Sequence, residues 1–373
     1  MATFHPVRLV QARQIRRVTA KELATATGVS PKTISSYETG RVAPPAATLA
    51  FMANHLQFPL GFFCRAVPRE PTPVANVYFR SLRSSAADDR ERVTALGDLF
   101  HELMADVAQV IPLKAADVPR ADAIDRTWDL AASSSARSAE LIDEVAVRVR
   151  RAWGLGDGPI PDMVRLLEGH GIWVQVLAEE ASEIDAFSYW SDGRANVVLN
   201  HAKGDPFRSR FDAAHELGHL VMHETPGPEG KEREKEANLF ASAFLLPRTT
   251  WSRVAPRSTN PWHYVPLKKQ WRTSVACMLY RSKTLGLLDE RRFTSAMVQY
   301  SQLGWRSRGE PLVDGAEHES PVLFRLCLEA VGVRTMSQFL DEMQLPGDVA
   351  RDILPVPLAP APRPGATHLR LVT

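Results

Sequence analysis

Two histidines four residues apart, with a glutamate directly after the first, are the residues of this chain whose spacing best suits metal chemistry. They are His215, Glu216 and His219, in a run that ends at His223. On a helix, residues four apart lie on one face, so both imidazoles can bind one divalent ion. Glu216 then lies beside the open side of that ion, where it can accept a proton from a water whose pKa the metal lowers to about 7. The pattern therefore indicates a hydrolytic site with one Zn²⁺ per chain.

The residues around this motif favour a metal-bearing helix over a core helix that merely contains two histidines. The run from Phe211 to His223 has no proline, and Leu217, Leu220 and Val221 give the helix a buried side. A helix that carries a metal site needs such a side to pack into a core.

A second helical pattern, residues 231–246, offers the third ligand before it ends at Pro247. Three glutamates begin it, each able to complete a His2Glu site: Glu232, Glu234 and Glu236. Helical phase favours Glu234, which shares a face with Asn238 and with the small Ala241. Asn238 is then placed to orient a ligand from behind. Glu236 lies about 200° from Glu234 on the helical wheel, so it is the second choice and is expected to face solvent.

Five further side chains near the motif have weaker claims. His223 lies one turn beyond His219, where the 3.6-residue period carries it off the ligand face. We expect it to cap the helix or to line the site. A donor to the developing oxyanion is also needed across from Glu216. The candidates, each more typical of a structural residue, are Tyr189, His201, His263 and Tyr264.

These segments resemble the ImmA/IrrE family of metallopeptidases. The resemblance rests on the runs Arg210-Phe211, Ala214-His215-Glu216-Leu217-Gly218-His219-Leu220, Glu234, Ala237-Asn238, Phe240-Ala241 and Phe244-Leu245-Leu246-Pro247. It implies an α+β, zincin-like (gluzincin-type) fold and makes Glu234 the third ligand. The best understood members of the family cleave helix-turn-helix repressors to switch on stress or mobile-element genes, which implies a protein substrate of that kind here.

Near the start of the chain, residue types and spacing predict an all-α helix-turn-helix. Thr19 and Glu22 form a capping box that begins one helix, and Gly28 ends it. Ser30 and Pro31 supply the N-cap and the first-turn proline of a second helix, which can enter a DNA major groove. The outward residues expected to contact bases and phosphates are Ser30, Lys32, Thr33, Ser36 and Arg41.

This region resembles the XRE (lambda-repressor-like) DNA-binding family over about residues 5–63. The motifs that carry the resemblance are Glu22-Leu23-Ala24, Gly28-Val29-Ser30, Thr33-Ile34-Ser35, Tyr37-Glu38, Gly40-Arg41 and Leu49-Ala50. One departure is Ala20, where many members have a glutamine that contacts the phosphate backbone; it concerns DNA affinity and not the fold.

Charge supports a DNA partner only locally. Residues 1–66 carry eight basic side chains against two acidic ones, a net charge of +6, whereas the whole chain has +2. A basic surface of this kind suits phosphates, although it also occurs as an ordinary solvated face. A pseudo-palindromic operator would favour a homodimer.

Composition indicates a soluble multidomain protein of the cytoplasm. The 373 residues exceed one ordinary domain, no apolar run is long enough to span a membrane, and the first residues are not a signal peptide. The three cysteines, Cys64, Cys277 and Cys327, suit reduced thiols better than a disulfide frame.

The predicted domains follow from these motifs and from proline-rich or small-residue breaks. A helix-turn-helix domain covers residues 1–66, and a linker with a helical connector covers residues 67–137. A metallopeptidase domain covers residues 138–256, with strands near residues 172–177, 186–190 and 196–200. A helical region follows over residues 257–354, and the tail 355–373 is expected to be disordered.

Two functions of different classes fit these features. The first is a zinc endopeptidase that cleaves a protein, with the basic domain bringing it to DNA or to its substrate. The second is a DNA-binding regulator whose peptidase-like domain senses a ligand without cutting. Glu216 favours the first, since a sensor needs only the metal ligands. A toxin-like peptidase restrained by a partner is a weaker third alternative.

Overall fold

The computed structural model describes residues 3–66, 78–79, 87–124, 128, 138–177, 186–201, 205–223, 230–311, 313, 315–333 and 335–354. Two compact units contain them. The first takes its described residues from 1–71, 87–112 and 322–373, and the second takes them from 72–86 and 113–321. The proline-rich stretch 68–73 and the small-residue stretch 131–136, both within the predicted linker and connector, lie outside the described residues, as does the tail 355–373.

The first unit begins with the helix-turn-helix. Its helices are α1 (Pro6–Ile15), α2 (Ala20–Thr27), α3 (Pro31–Glu38) and α4 (Ala46–His55), followed by a 3-10 helix at Leu60–Cys64. The expected capping box joins Thr19 and Glu22 at the start of α2. Gly28 ends α2 with φ +69°, a conformation that favours glycine, and so turns the chain into α3. Ile34 and Tyr37 are buried, as their spacing predicts.

Helices from two distant stretches complete this first unit. They are α5 (Ala87–Ala108) and three short helices at Leu323–Ala330, Met336–Met343 and Gly347–Ile353. Phe100 of α5 meets Phe324 edge to face, with ring centroids 5.3 Å apart, and Arg92 pairs with Asp352 at 2.9 Å. The compact units thus group residues 322–354 with the helix-turn-helix, and the domain limits drawn from the sequence stay a prediction.

The second unit holds the sheet. Its strands are β1 (Tyr78–Phe79), β2 (Trp173–Leu177), β3 (Ala186–Ser191) and β4 (Arg194–Asn200), in the order β1-β3-β4-β2. The hairpin between β3 and β4 turns through Asp192 and Gly193, both with positive φ, as a two-residue hairpin turn requires. Strand β2 pairs with β4 in parallel, and β1 pairs with β3 in antiparallel fashion.

Two helices of the second unit carry the site. The first packs on strands β3 and β4, and the second packs on the first and on the helix Ala139–Ala152. We call Pro206–Met222 the histidine helix and Lys231–Leu245 the glutamate helix. At their crossing, a Cβ added to Gly218 would lie 3.0 Å from the Phe240 ring, so glycine is needed for the close approach. The other helices of the second unit lie at Ala121–Ile124, Ala139–Ala152, Met163–Gly169, Arg248–Val254, Pro261–Tyr264 (3-10), Val265–Trp271, Val275–Thr284, Glu290–Gln302 and Trp305–Arg308.

Buried ion pairs fasten these helices to one another. Asp143 pairs with Arg281 in the core and with Arg248 at 3.0 Å. Glu319 pairs with Arg210 of the histidine helix and accepts from the main-chain N–H of Met163 at 2.7 Å. Such contacts fix the angle of the histidine helix against its neighbours. None of the helices in the described parts of the chain combines the length and the apolar composition that a bilayer crossing requires.

Candidate metal centre

The histidine and glutamate helices bring three ligand-type atoms together. The Nε2 atoms of His215 and His219 lie 3.1 Å apart, and Glu234 reaches them with its two oxygens, at 3.4 Å from His215 and 3.2 Å from His219. All three donors fall within 4.8 Å of one another. Two imidazoles and one carboxylate converging from two rigid helices are a donor set that suits a divalent transition metal.

Burial and charge keep this cluster in a ligand-ready form. His215 and His219 are fully buried, whereas the Glu234 side chain is 23% exposed. Burial raises the pKa of Glu234, but the hydrogen bonds with His215 and His219 outweigh this effect and lower the pKa to about 2. The carboxylate is therefore ionised at neutral pH, as a metal ligand must be.

Glu216 follows His215 in sequence, and a side chain of the sheet holds its carboxylate by a hydrogen bond. The hydroxyl of Ser188, on β3, donates to Oε2 of Glu216 at 2.7 Å, and both residues are fully buried. Sequence reasoning missed Ser188. A signal was present, because a small hydroxyl side chain between apolar and aromatic residues in the run Ala186-Phe187-Ser188-Tyr189-Trp190 must find a polar partner once the strand is buried.

A chain of hydrogen bonds runs from His219 into the protein interior. Nδ1 of His219 lies 2.9 Å from Nδ1 of His223, and Nε2 of His223 lies 3.1 Å from a carboxylate oxygen of Glu236. If Nε2 of His219 binds a metal, its proton is on Nδ1 and points to His223. His223 then carries its own proton on Nε2 and donates it to Glu236. The three residues thus form one consistent set of tautomers, which we call the relay.

The relay corrects the expectation for Glu236. The helical wheel predicted that this residue faces solvent, but it is 4% exposed. The surface opposite Glu234 is covered by the end of the histidine helix, where His223 is the C-terminal cap. Burial lowers the pKa of His223 to about 4, although the hydrogen bond with Glu236 opposes the shift, so His223 is neutral. His223 does end its helix, as expected, and also has this second contact.

Asn238 was predicted to orient a metal ligand, but its side chain contacts the main chain instead. It is exposed, and its amide donates to the main-chain oxygen of Glu234 at 2.8 Å. The contact spans four residues of one helix and so supports the helix rather than the carboxylate.

The four candidate oxyanion donors have diverse surroundings. The Tyr264 hydroxyl donates to the main-chain oxygen of Pro256 at 2.6 Å, which makes this residue structural. Tyr189 is buried and stacks on Phe187, and His263 is exposed. His201 stacks on His318 with ring centroids 4.3 Å apart.

In the first unit, the predicted DNA-contacting residues divide into two groups. Lys32 and Arg41 are exposed cations. Ser30 caps α3 by accepting from the N–H of Thr33 at 3.1 Å, and Ser36 donates to the main-chain oxygen of Lys32 at 2.9 Å. The hydroxyls thus stabilise the helix that presents the cations.

The local charge of +6 is largely neutralised by distant carboxylates of the same unit. Five of its eight basic side chains form ion pairs within the unit: Arg8, Arg13, Arg16, Arg17 and Arg65. Four of their partners, Asp89, Glu102, Asp106 and Asp348, lie outside residues 1–66. Of these eight basic side chains, Lys21, Lys32 and Arg41 have no carboxylate partner among the described residues. The predicted basic face is therefore smaller than the sequence count suggests and is centred on α2 and α3.

Fold and site together describe a chain with a helix-turn-helix and, in its second unit, a cluster of two histidines and a glutamate that could hold a metal ion. Residues 167–283 match the family model for the IrrE N-terminal-like domain of the M78 peptidases. Residues 9–63 match the helix-turn-helix family model. A comparison with curated proteins gives no match. The chain therefore carries an XRE-type helix-turn-helix followed by an ImmA/IrrE-like peptidase-family domain, and the resemblance read from the sequence is confirmed.

Proposed function

We propose that the chain is a zinc-dependent endopeptidase joined to a DNA-binding domain, and that it cleaves a transcriptional repressor of the helix-turn-helix type. The observation that carries the proposal is the convergence of His215, His219 and Glu234 within 4.8 Å, with Glu216 on the same helix. A metal site for structure alone needs the three ligands and a fourth, but not an adjacent buried glutamate.

His215, His219 and Glu234 would hold the zinc ion. Their donor set leaves one coordination position for water or substrate, the arrangement of catalytic rather than structural zinc sites. Zinc in that position supplies two things, a Lewis acid for the peptide carbonyl and a lowered pKa for water.

Glu216 would accept the proton of the attacking water and pass it to the leaving amine. The Ser188 hydroxyl fixes one carboxylate oxygen at 2.7 Å and so fixes the rotamer of the base. The relay holds the imidazole of His219 in the tautomer that presents a lone pair from Nε2. Glu216 and His219 are therefore each oriented by a second, buried group.

The first unit would bring this site to DNA or to a DNA-bound repressor. Lys21, Lys32 and Arg41 are the cations available for phosphates, and α3 is the recognition helix. Two such domains on a pseudo-palindromic operator would pair two copies of the chain.

A second function is favoured by the helix-turn-helix in the same chain. A regulator that binds DNA itself needs no separate repressor, and its peptidase-like domain would sense a ligand or the metal. This alternative predicts that Glu216→Gln leaves gene regulation unchanged.

A comparison in cells separates the two functions. Wild type and Glu216→Gln are expressed at equal level, and mass spectrometry follows which proteins lose their full-length form. Glu232→Gln serves as the matched control, since it makes the same substitution at an exposed position of the glutamate helix. We expect one repressor-like protein to be lost with wild type and the control, and to persist with Glu216→Gln, at equal zinc content. Equal proteomes at equal zinc content would contradict proteolysis and favour the sensor.

A further inference from the structure

A cavity of about 890 Å³ opens beside the metal centre, with Glu234 and Phe211 in its wall. Ligand sites in proteins typically enclose about 300–1,000 Å³, so the volume suits several residues of a peptide. The histidine and glutamate helices form one side. Part of the other side comes from Tyr300, Trp305 and Arg306. These residues lie beyond residue 283, where the peptidase-family match ends. This part of the cavity wall therefore lies outside the matched segment.

The charges in this wall are mostly positive. Five cations line it, namely Arg208, Lys231, Lys235, Lys283 and Arg306. Lys235 and Lys283 pair with Glu232 and Glu290. Among the described residues, Lys231 and Arg306 have no carboxylate partner.

The acidic groups of the wall are already engaged. Glu234 belongs to the ligand cluster, and Asp205 caps the histidine helix by accepting from the Phe207 N–H at 2.9 Å. Glu310 pairs with the buried Lys268 at 2.8 Å and accepts from the N–H of Val275. Lys268 thus compensates Glu310, and the five cations of the lining outnumber its three carboxylates, so the lining has a positive net charge. A divalent ion at the ligand cluster would strengthen that sign.

Between the cations the wall is apolar. Phe211 and Leu239 line the side of the metal centre. Trp305 also lines the cavity; it is buried and packs edge to face on Tyr300 with ring centroids 5.6 Å apart. An apolar side chain of a ligand would be buried between these surfaces, while groups on either side of it would meet the basic rim.

We propose that this cavity is the substrate cleft and that it selects a peptide segment in which an apolar side chain is flanked by carboxylates. The proposal rests on the proposed function, since the segment is the one that the metal centre would cleave. Lys231 and Arg306 act as specificity-determining residues through attraction at the rim, and Trp305 with Phe211 selects the apolar side chain.

Binding to a non-cleaving chain tests the proposal. The zinc-loaded Glu216→Gln chain is titrated against a fluorescein-labelled peptide of nine residues with a central phenylalanine and two glutamates on each side. Its twin has glutamine in place of every glutamate. We expect the Kd of the glutamate peptide to be at least about tenfold lower than that of its twin, and the difference to shrink as salt is raised.

Reversing the charges of Lys231 and Arg306 tests whether these two side chains cause the preference for the glutamate peptide. In the Glu216→Gln background, Lys231→Glu with Arg306→Glu is expected to raise the Kd of the glutamate peptide about tenfold or more and to leave that of the glutamine twin unchanged. The matched control is Arg253→Glu with Arg291→Glu, two exposed arginines outside the cavity wall. Equal binding of the twin peptides, no binding of either, or an equal loss in both double variants would overturn the proposal.

The two proposals fail separately because this binding does not require cleavage. If the glutamate peptide is preferred but wild type cleaves no protein, the endopeptidase proposal fails and the acidic-segment site stands. If wild type cleaves a repressor but the twin peptides bind alike, the endopeptidase proposal stands and this inference fails.

Discussion

The relay behind His219 makes a prediction about metal affinity that does not depend on catalysis. Glu236→Gln keeps the shape of the side chain and removes its charge. The 3.1 Å contact with Nε2 of His223 then changes from a charge-assisted hydrogen bond to a neutral one. Charge-assisted bonds contribute about 1.5–3 kcal/mol, and neutral ones about 0.5–1.5 kcal/mol. The difference of about 1–1.5 kcal/mol corresponds to a zinc affinity about 5–13-fold weaker, which meets the lower end of the range of about 10–100-fold known for partners of metal-bound histidines.

The assay is a zinc titration against a chromophoric chelator, with thermal melting of the metal-free protein in parallel. Glu232→Gln is the matched control, because Glu232 lies on the same helix with its side chain 59% exposed. We expect a zinc Kd about tenfold higher for Glu236→Gln and an unchanged Kd for the control. A zinc Kd unchanged within twofold would show that the relay does not orient His219. So would a loss of zinc affinity that is accounted for by a lower Tm of the metal-free protein.

Three further predictions follow from other buried contacts. Ser188→Ala removes the donor at 2.7 Å from Glu216, so we expect about tenfold slower cleavage at unchanged zinc content, measured on whichever substrate the cell comparison identifies. Asp143→Ala leaves the buried Arg281 without its partner and should lower the free energy of unfolding by about 3–5 kcal/mol in urea denaturation. Glu144→Ala, next in sequence, removes only an exposed pair and should cost less than about 0.5 kcal/mol; equal losses would contradict the assignment. Burial, with a smaller effect of His318, lowers the pKa of His201 to about 4, below its unfolded value of about 6.5. As the pH falls, His201 is therefore protonated in the unfolded chain before it is protonated in the folded chain. Its contribution to the free energy of unfolding is fully present above pH 6.5 and is lost as the pH drops toward 4. His201→Gln should reduce that fall between pH 7 and pH 5 in urea unfolding, and an identical pH dependence would contradict the interpretation.

The ligand set could be predicted because each part of it is local in sequence. The spacing of His215 and His219 fixes a common helix face, and helical phase selects Glu234 among three glutamates. Ser188 and the relay depend instead on which surfaces pack against those helices. A helical wheel describes one helix alone, so it placed Glu236 in solvent although the histidine helix covers it.

The charge of the helix-turn-helix region was also predicted incompletely, because a count of local residues does not include distant ion-pair partners. The helix-turn-helix follows from local caps and a glycine turn, which were readable at Thr19, Glu22 and Gly28. The net charge of +6 was counted over residues 1–66 alone, whereas ion pairs can join residues that are far apart in sequence. The carboxylates that neutralise Arg8, Arg16 and others lie more than twenty residues away in sequence, so the excess charge could not be corrected before the fold was known.

The most direct test of repressor cleavage by this chain is a search for new protein N-termini. Purified zinc-loaded wild type and Glu216→Gln, matched in zinc content, are incubated with the same cell extract, and new N-termini are labelled and sequenced by mass spectrometry. We expect at least one new N-terminus within a helix-turn-helix repressor, present with wild type and absent with Glu216→Gln. Identical sets of N-termini for the two proteins would contradict it and leave His215, His219 and Glu234 as a structural or sensory metal site.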